Sequence, residues 1–288
     1  MAVAVFFILS GFLITLKLNK EKPKQFAIKR IIRLYPSYFV AMILTTVVMI
    51  IAGDEFKSKV CNLKEWIINL TMFPGYFNQK PVDGVYWTLG VEILFYAIIW
   101  FLMVIKKRQK IEVFSFIWLI ISLITNLMLI RFDNVLLKGL RIIGITQYCQ
   151  LFITGIIMCL LYKKEKSKIT YVTLILCIVN QFIALGIKYT IFLCLFNVVF
   201  YFIIVRRLSI PSFINNKVIT FLATISYPLY LTHQFIGFAI INKLEKLGLI
   251  NEIYILLPIA IVVGIAYLIH KFIERPSVKF LSRKILKN

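Results

Sequence analysis

The feature that most constrains this chain is a succession of apolar runs, each close to the thickness of a lipid bilayer. A helix rises about 1.5 Å per residue, so about 20 apolar residues cross a hydrocarbon core of roughly 30 Å. We therefore predict an all-α fold, a polytopic bundle of transmembrane helices. Nine spans are expected, over residues 2–16, 34–52, 84–105, 113–130, 144–162, 169–187, 190–205, 218–242 and 253–272.

Composition supports a membrane protein and argues against a nucleic-acid-binding one. Hydrophobic residues make up 61% of the chain and the mean hydropathy is +0.90, whereas a soluble domain is about half apolar. A net charge of +22 would suggest nucleic acid in a soluble chain. Here the basic residues lie in loops, with no basic domain outside the spans. We expect membrane lipid as a partner, no nucleic acid, and make no prediction of oligomeric state.

The distribution of positive charge predicts the orientation. Of the 34 Lys and Arg residues, 24 fall in alternate connections that include the basic loop 17–33 and the C-terminal tail, with Lys271 at the end of the last span counted as part of the tail. Cytoplasmic loops are enriched in Lys and Arg, so we place these segments, and the C-terminus, on the cytoplasmic side of the plasma membrane. Nine spans would then leave Met1 outside, and one more helix in front would remove that difficulty. We expect residues 1–288 to be one integral-membrane domain shortened at its N-terminus.

The sequence lacks the signatures of several other enzyme classes. The five cysteines form no CxxC pair and have no histidine at metal-binding spacing, so neither zinc nor disulfides are predicted. No GxSxG, P-loop or HExxH motif is present. We predict no metal ion and no permanently bound cofactor.

Glu92 is the acidic residue placed deepest within a predicted span. A charge at membrane depth costs about 2.5–3.5 kcal/mol on insertion scales, so it normally faces other helices and has a partner. Thr88, Glu92 and Tyr96 follow one another at intervals of four residues, which gives a single polar stripe along a helix. This stripe indicates either a functional site or a structural polar clamp between helices.

His233 is predicted within a helix, one turn after Tyr230 and beyond Pro228. Such a histidine serves either in catalysis or as a hydrogen-bonding group between helices. From the rise of a helix, Ser10, Glu92 and His233 all come out about 10–12 Å below the outer face. Three polar positions from distant segments would then share one level.

Two further pairs stand out near the beginning of the chain. Ser10 and Gly11 are small residues in an apolar run, which allows helix backbones to approach closely. Arg30 and Arg33 are three residues apart, so both guanidinium groups would lie on one helical face and could meet one multiply charged anion. The alternative for these arginines is an anchor at the cytoplasmic interface.

Four motifs in order resemble the membrane-bound acyltransferase family 3, bacterial O-acyltransferases that modify surface polysaccharides. The motifs are FFILSGFLI followed by RIIRLYPSY, then WTLGVEILFY at 87–96, ISYPLYLTH at 225–233 and IERP at 273–276. The family normally opens with another helix, which carries an Arg and a His regarded as catalytic. This sequence starts after that helix, and His233 does not match the family histidine by motif.

The resemblance implies transfer of an acyl group, usually acetyl, from acyl-coenzyme A (acetyl-CoA) to a hydroxyl of a cell-surface glycan. Within that reaction we assign catalysis to Glu92 and His233, and donor binding to Arg30 and Arg33. Roles in substrate binding or packing are assigned to Ser10, Gly11, Trp87, Tyr96 and Tyr230.

Two other functions remain open. One is a transporter or flippase for lipid-linked sugars, although the sequence lacks the paired Gly/Pro interruptions that are typical of transporters with inverted repeats. The other is a non-catalytic membrane subunit or an inactive fragment.

Overall fold

The computed structural model describes residues 1–165, 167–208, 216–249 and 251–285, the last five of these by their backbone alone. In this part of the chain all regular structure is helical, which confirms the predicted all-α fold. The α-helices are α1 (Ala2–Lys17), α2 (Pro23–Ile51), α3 (Leu63–Asn69), α4 (Trp87–Val104), α5 (Ile111–Arg131), α6 (Val135–Ile143), α7 (Cys149–Tyr162), α8 (Lys168–Leu185), α9 (Ile187–Phe200), α10 (Lys217–Thr232), α11 (Phe235–Lys246), α12 (Leu256–Ile269) and α13 (Arg275–Ile285).

Seven helical segments within the described residues are long and apolar enough to cross a membrane. The chain is therefore a polytopic helical membrane protein, as predicted. The segments are Ala2–Lys20, Pro23–Ile51, Gly84–Val104, Arg108–Arg131, Lys168–Leu185, Ile187–Val205 and Glu252–Phe280. Lys287 of the predicted cytoplasmic tail lies outside the described residues.

Two of the nine expected spans differ from the long helices of the structure. The span expected over 144–162 is the 14-residue helix α7, which begins only at Cys149. The span expected over 218–242 is two helices, α10 and α11, separated at His233 and Gln234. His233 thus follows the last residue of α10, and the prediction that it lies within a helix is wrong.

The break between α10 and α11 arises from two side chains that replace one backbone hydrogen bond. In a continuous helix the N–H of Phe235 would donate to the carbonyl of Leu231. Instead, the Phe235 N–H donates to Asp83 Oδ2 at 3.1 Å, and the Leu231 carbonyl accepts from the hydroxyl of Tyr86 at 3.1 Å. The apolar sequence continues through the break while the helix does not.

Helix α2 begins ten residues before Arg33, so the expected basic loop at 17–33 is largely helical. Pro23 is the first residue of α2, a position that proline favours because its missing N–H has no helical partner there. The side chain of Gln25 accepts from the N–H of Lys22 and completes the start of the helix. Pro36 lies inside α2, and the helix continues through it at the loss of one backbone hydrogen bond.

The described residues form two compact units, each made of two stretches of the chain. The first unit contains Met1–Phe26 and Val91–Ile210, and the second contains Ala27–Gly90 and Pro211–Asn288.

In the first unit, α1 and α7 cross at a pair of glycines. A Cβ atom on Gly11 would lie 2.1 Å from the carbonyl oxygen of Phe152, and one on Gly155 would lie 1.9 Å from that of Ile8. Only glycine fits at such a distance from a backbone. The ring of Phe152 also stacks on Phe7, with centroids 4.6 Å apart. This crossing fixes the position of α1 and therefore of Ser10.

In the second unit, the long connection between α2 and α4 is folded. Helix α3 starts with a capping box formed by Asn62 and Glu65. Asn69, at the end of α3, accepts from the N–H of Val82 and donates to the carbonyl of Lys80, while its own carbonyl accepts from the buried hydroxyl of Tyr38. These bonds hold the residues that lead into Asp83.

Candidate functional site

The carboxylate of Glu92 is the centre of a polar cluster in the first unit. Its Oε1 accepts a hydrogen bond from Ser10 Oγ at 3.4 Å and another from the hydroxyl of Tyr96, one turn further along α4. Ser10 comes from α1, 82 residues away in sequence. Three residues singled out from the sequence therefore meet.

The cluster is built on aromatic and glycine packing. Tyr96 is almost completely buried and its ring meets that of Phe26 edge-to-face, with centroids 6.2 Å apart. Gly11, next to Ser10, provides the close approach of α1 to α7. Glu92 is half-buried and carries both of its hydrogen bonds on one oxygen. The second oxygen, Oε2, accepts no hydrogen bond within the described part of the chain.

Thr88 is four residues before Glu92 on α4 but takes part in different contacts. Its hydroxyl lies 2.7 Å from that of Tyr230, and it donates to the carbonyl of Val85 at 3.0 Å. Thr88 and Tyr230 both belong to the second unit. The predicted polar stripe is therefore present along the helix, and its members serve two separate clusters.

His233 belongs to this second cluster, where it is exposed at the end of α10. Its Nδ1 lies 2.8 Å from the carbonyl oxygen of Tyr230. Because a carbonyl only accepts, Nδ1 must carry the proton of this hydrogen bond. In the neutral ring, Nε2 then has a free electron pair and can accept a proton from another molecule.

Asp83 is a residue of this cluster that sequence reasoning missed. Its carboxylate is fully buried and accepts from the N–H groups of Val85 and Phe235, each at 3.1 Å. Burial raises the pKa of Asp83, while the two N–H groups and nearby His233 act in the opposite direction. An aspartate just before a helix is a capping signal that the sequence contains. The bond to Phe235, 152 residues later, has no local signal.

Gln234 fills the remaining space at the break between α10 and α11. A Cβ atom on Gly84 would lie 2.7 Å from Oε1 of Gln234, so the glycine leaves room for this side chain. Oε1 of Gln234 is buried and accepts no hydrogen bond from the described residues. The loop before α4 is thus joined to the start of α11 through Asp83 and to the end of α10 through Tyr86, and Gly84 lies against Gln234 between them.

The predicted donor-binding arginines lie in the first turns of α2. Arg30 is half-buried, whereas Arg33 is exposed. Both belong to the second unit. Trp87, at the start of α4, leaves 44% of its surface exposed.

The described residues contain no group of three His, Cys, Asp or Glu side chains that could hold a metal ion. The five cysteines are free thiols. Burial raises the pKa of Cys61, in the connection before α4, to about 11.

Apolar spans and a carboxylate held by hydroxyl groups inside one of them define a class: multi-pass membrane proteins with a polar site among their helices. Comparison with known proteins narrows this class to a family. The family model described as an acyltransferase domain, that of acyltransferase family 3, matches residues 1–271. The chain belongs to this family, which confirms the resemblance predicted from its motifs.

Several curated proteins are similar to parts or nearly all of the chain. A Staphylococcus aureus (strain COL) protein named "Putative O-acetyltransferase" is 26% identical over 96% of this chain and 52% of its own length. Nodulation protein 10 of Rhizobium leguminosarum bv. viciae is 27% identical over 38% of this chain and 34% of its own length. An uncharacterised Haemophilus influenzae protein is 31% identical over 42% of this chain and 56% of its own length.

The chain therefore spans about half the length, or less, of these relatives. No solved structure matches it significantly.

Proposed function

We propose that this protein is a membrane O-acyltransferase that moves an acyl group from acyl-coenzyme A to a hydroxyl of a cell-surface or exported polysaccharide. The observation that carries the proposal is the family model, which covers residues 1–271. Family membership implies an acyl donor. The name of the Staphylococcus aureus relative supports acetyl as the group transferred.

The donor phosphates are proposed to bind Arg30 and Arg33. An arginine presents two parallel N–H groups to a phosphate, which suits bidentate recognition. The exposure of Arg33 in the third turn of α2 supports access for a charged ligand. The positive charge of the segment 17–33 supports a cytoplasmic position, where acyl-coenzyme A would be available.

The transfer step needs a base for the acceptor hydroxyl and a group that stabilises the oxyanion formed on the carbonyl oxygen of the thioester. Glu92 supports this proposal because Ser10 and Tyr96 orient its carboxylate while Oε2 stays available. His233 supports it through its Nε2 electron pair. We assign His233 to substrate positioning or to weak base catalysis, since the family histidine has another motif.

The test is a transfer assay on membranes of cells that express the full gene product. Acetyl-coenzyme A labelled in its acetyl group is supplied, and both labelled polysaccharide and released thiol are measured. We expect the two to rise together above membranes that lack the protein. Thiol release without label in any glycan would reject the glycan acceptor. The absence of both thiol release and labelled glycan would reject the acyltransferase.

A further inference from the structure

The second unit contains a cavity of about 510 Å³ beside the end of α12. Its volume falls within the roughly 300–1,000 Å³ that is typical of small-molecule sites. Three cationic side chains line it: Lys217 from the start of α10, Lys271, and Arg275 from the start of α13. All three are exposed, and within the described residues none of them pairs with a carboxylate.

The backbone beside the cavity departs from α-helical geometry. Residues His270–Glu274 form a π-helical turn, in which the N–H of Arg275 donates to the carbonyl of His270, five residues back. Such turns are rare and occur often at functional sites. His270 also lines the cavity, and its Nδ1 lies 2.8 Å from Glu274 Oε2. The carboxylate of Glu274, the residue before Arg275, therefore pairs with this histidine.

Apolar side chains also line the cavity. The rings of Phe221 and Tyr267 lie with centroids 5.9 Å apart, and buried Ile225 is a third apolar residue of the lining. The ammonium group of Lys271 is 5.6 Å from the centre of the Tyr267 ring. A cationic group thus adjoins an apolar surface inside one cavity, which favours an amphiphilic anion.

We infer that this cavity binds the phosphate group of an amphiphilic molecule. Lys217, Lys271 and Arg275 would contact the phosphate, since ammonium and guanidinium groups donate charge-assisted hydrogen bonds to it. Phe221 and Tyr267 would contact the apolar or aromatic part next to the phosphate. The same chemistry fits an anionic phospholipid headgroup and a phosphate of coenzyme A. The lipid source is independent of the proposed function, and the coenzyme A source rests on it.

The test uses the full chain, purified in neutral detergent, with two probes: dioctanoyl phosphatidic acid and coenzyme A. Affinity is measured by calorimetry for the parent and for the double variant Lys217→Gln/Arg275→Gln. The matched control is Lys107→Gln/Lys110→Gln, which removes two exposed charges from the connection between α4 and α5 in the first unit. We expect at least one probe to bind the parent, with affinity at least tenfold lower in the cavity variant and changed less than twofold in the control.

The probe that loses affinity identifies the source of the phosphate: phosphatidic acid alone, coenzyme A alone, or both where the phosphate itself is recognised. The inference is overturned if neither probe binds the parent or if the cavity variant binds both probes with the affinity of the parent. It is also overturned if the control variant loses as much affinity as the cavity variant.

A variant with an added negative charge covers the case in which Lys217→Gln/Arg275→Gln fails to fold. Thr220→Glu places a carboxylate in the lining of the cavity, from an exposed position on α10. This carboxylate should repel the phosphate and lower the affinity for the same probe. Unchanged affinity would count against the site.

The proposed function can fail separately from this inference. If membranes show no acetyl transfer while phosphatidic acid still binds through Lys217 and Arg275, the acyltransferase is rejected and the phosphate site stands.

Discussion

Glu92 shows how much depends on a single carboxylate placed among apolar helices. Its charge is tolerated because Ser10 and Tyr96 donate to it. A structural clamp needs only these hydrogen bonds, whereas a group that acts on substrate or on a protonated imidazole also needs the negative charge.

Glu92→Gln separates these two roles, because glutamine keeps the shape and the acceptor oxygen but removes the charge. We expect the variant to fold, to bind donor, and to lose at least tenfold in acetyl transfer, or about 1.4 kcal/mol of transition-state stabilisation. Transfer is measured in membranes, and expression is compared by quantitative blotting. Glu245→Gln, at an exposed position on α11, is the matched control. Transfer by Glu92→Gln at the parent rate would make Glu92 structural.

Arg33 allows a test of the donor site, because its exposure leaves packing little affected. Arg33→Ala should weaken acyl-coenzyme A binding by about 1.5–3 kcal/mol, the contribution of a hydrogen bond to a charged group. Arg33→Lys should recover only part of this loss, since lysine keeps the charge but lacks the planar pair of donors. Calorimetry in detergent measures both, with exposed Lys24→Ala in the same helix as the control. Equal affinities throughout would assign Arg33 to interfacial anchoring.

At the scale of helices, the two units are stabilised by different kinds of contact. In the first unit, Gly11 and Gly155 let α1 and α7 cross with backbone in direct contact. In the second unit, Asp83 and Tyr86 end one helix and start the next.

Gly11→Ala tests the crossing of α1 and α7. The added Cβ would meet a carbonyl oxygen of α7, and backbone cannot move aside as a flexible side chain can. Overpacking typically costs about 1–3 kcal/mol, and we expect a loss at the upper end of this range. The loss of stability is measured as a lower melting temperature in detergent. The control is Gly264→Ala in α12, where a Cβ meets nothing within 4 Å, and it should leave the melting temperature unchanged or raise it. Equal melting temperatures for the two variants would contradict the tight crossing.

Asp83→Asn tests the buried carboxylate at the start of α11 through pH. The folded-state pKa of Asp83 is raised above its ordinary value of 3.8. As pH rises from 3.8, the unfolded chain therefore releases this proton first, and the carboxylate contributes less stability until the folded chain releases it too. Asparagine has no such proton to lose.

The melting temperature of Asp83→Asn should consequently rise relative to the parent as pH increases through this window. Thermal unfolding followed by tryptophan fluorescence at a series of pH values measures the difference. Asp54→Asn, which removes an exposed carboxylate, is the control for a general effect of charge. A constant difference between Asp83→Asn and the parent would contradict the raised pKa.

At the scale of the whole molecule, the alternation of basic and less basic connections predicts the orientation in the membrane. A cysteine introduced at Gln109, in the connection between α4 and α5, should be protected in intact cells from a thiol reagent that cannot cross membranes. One introduced at Gln79 should react. Background from Cys61 should be low, because its pKa of about 11 leaves little thiolate near neutral pH. Cys61→Ser checks this, and the reverse labelling pattern would overturn the orientation together with the proposed donor side.

The sequence by itself determined the class of fold and the family, and it singled out Glu92 together with one of its hydrogen-bond partners. Apolar runs of bilayer length require helices, because a helix satisfies its backbone hydrogen bonds internally in lipid. A lone carboxylate in such a run requires polar partners, and four-residue spacing identified Tyr96 as one of them. These properties depend on composition and local periodicity, so they can be read along the chain.

Only the tertiary structure decided where the helices end and which residues surround His233. Apolar periodicity continues through residues 218–242, and no glycine or proline marks the break after Thr232. The break exists because Asp83 accepts a hydrogen bond from the N–H of Phe235 and Tyr86 donates one to the carbonyl of Leu231. Both groups come from about 150 residues earlier, and a hydrogen bond across that separation forms only once the chain has folded.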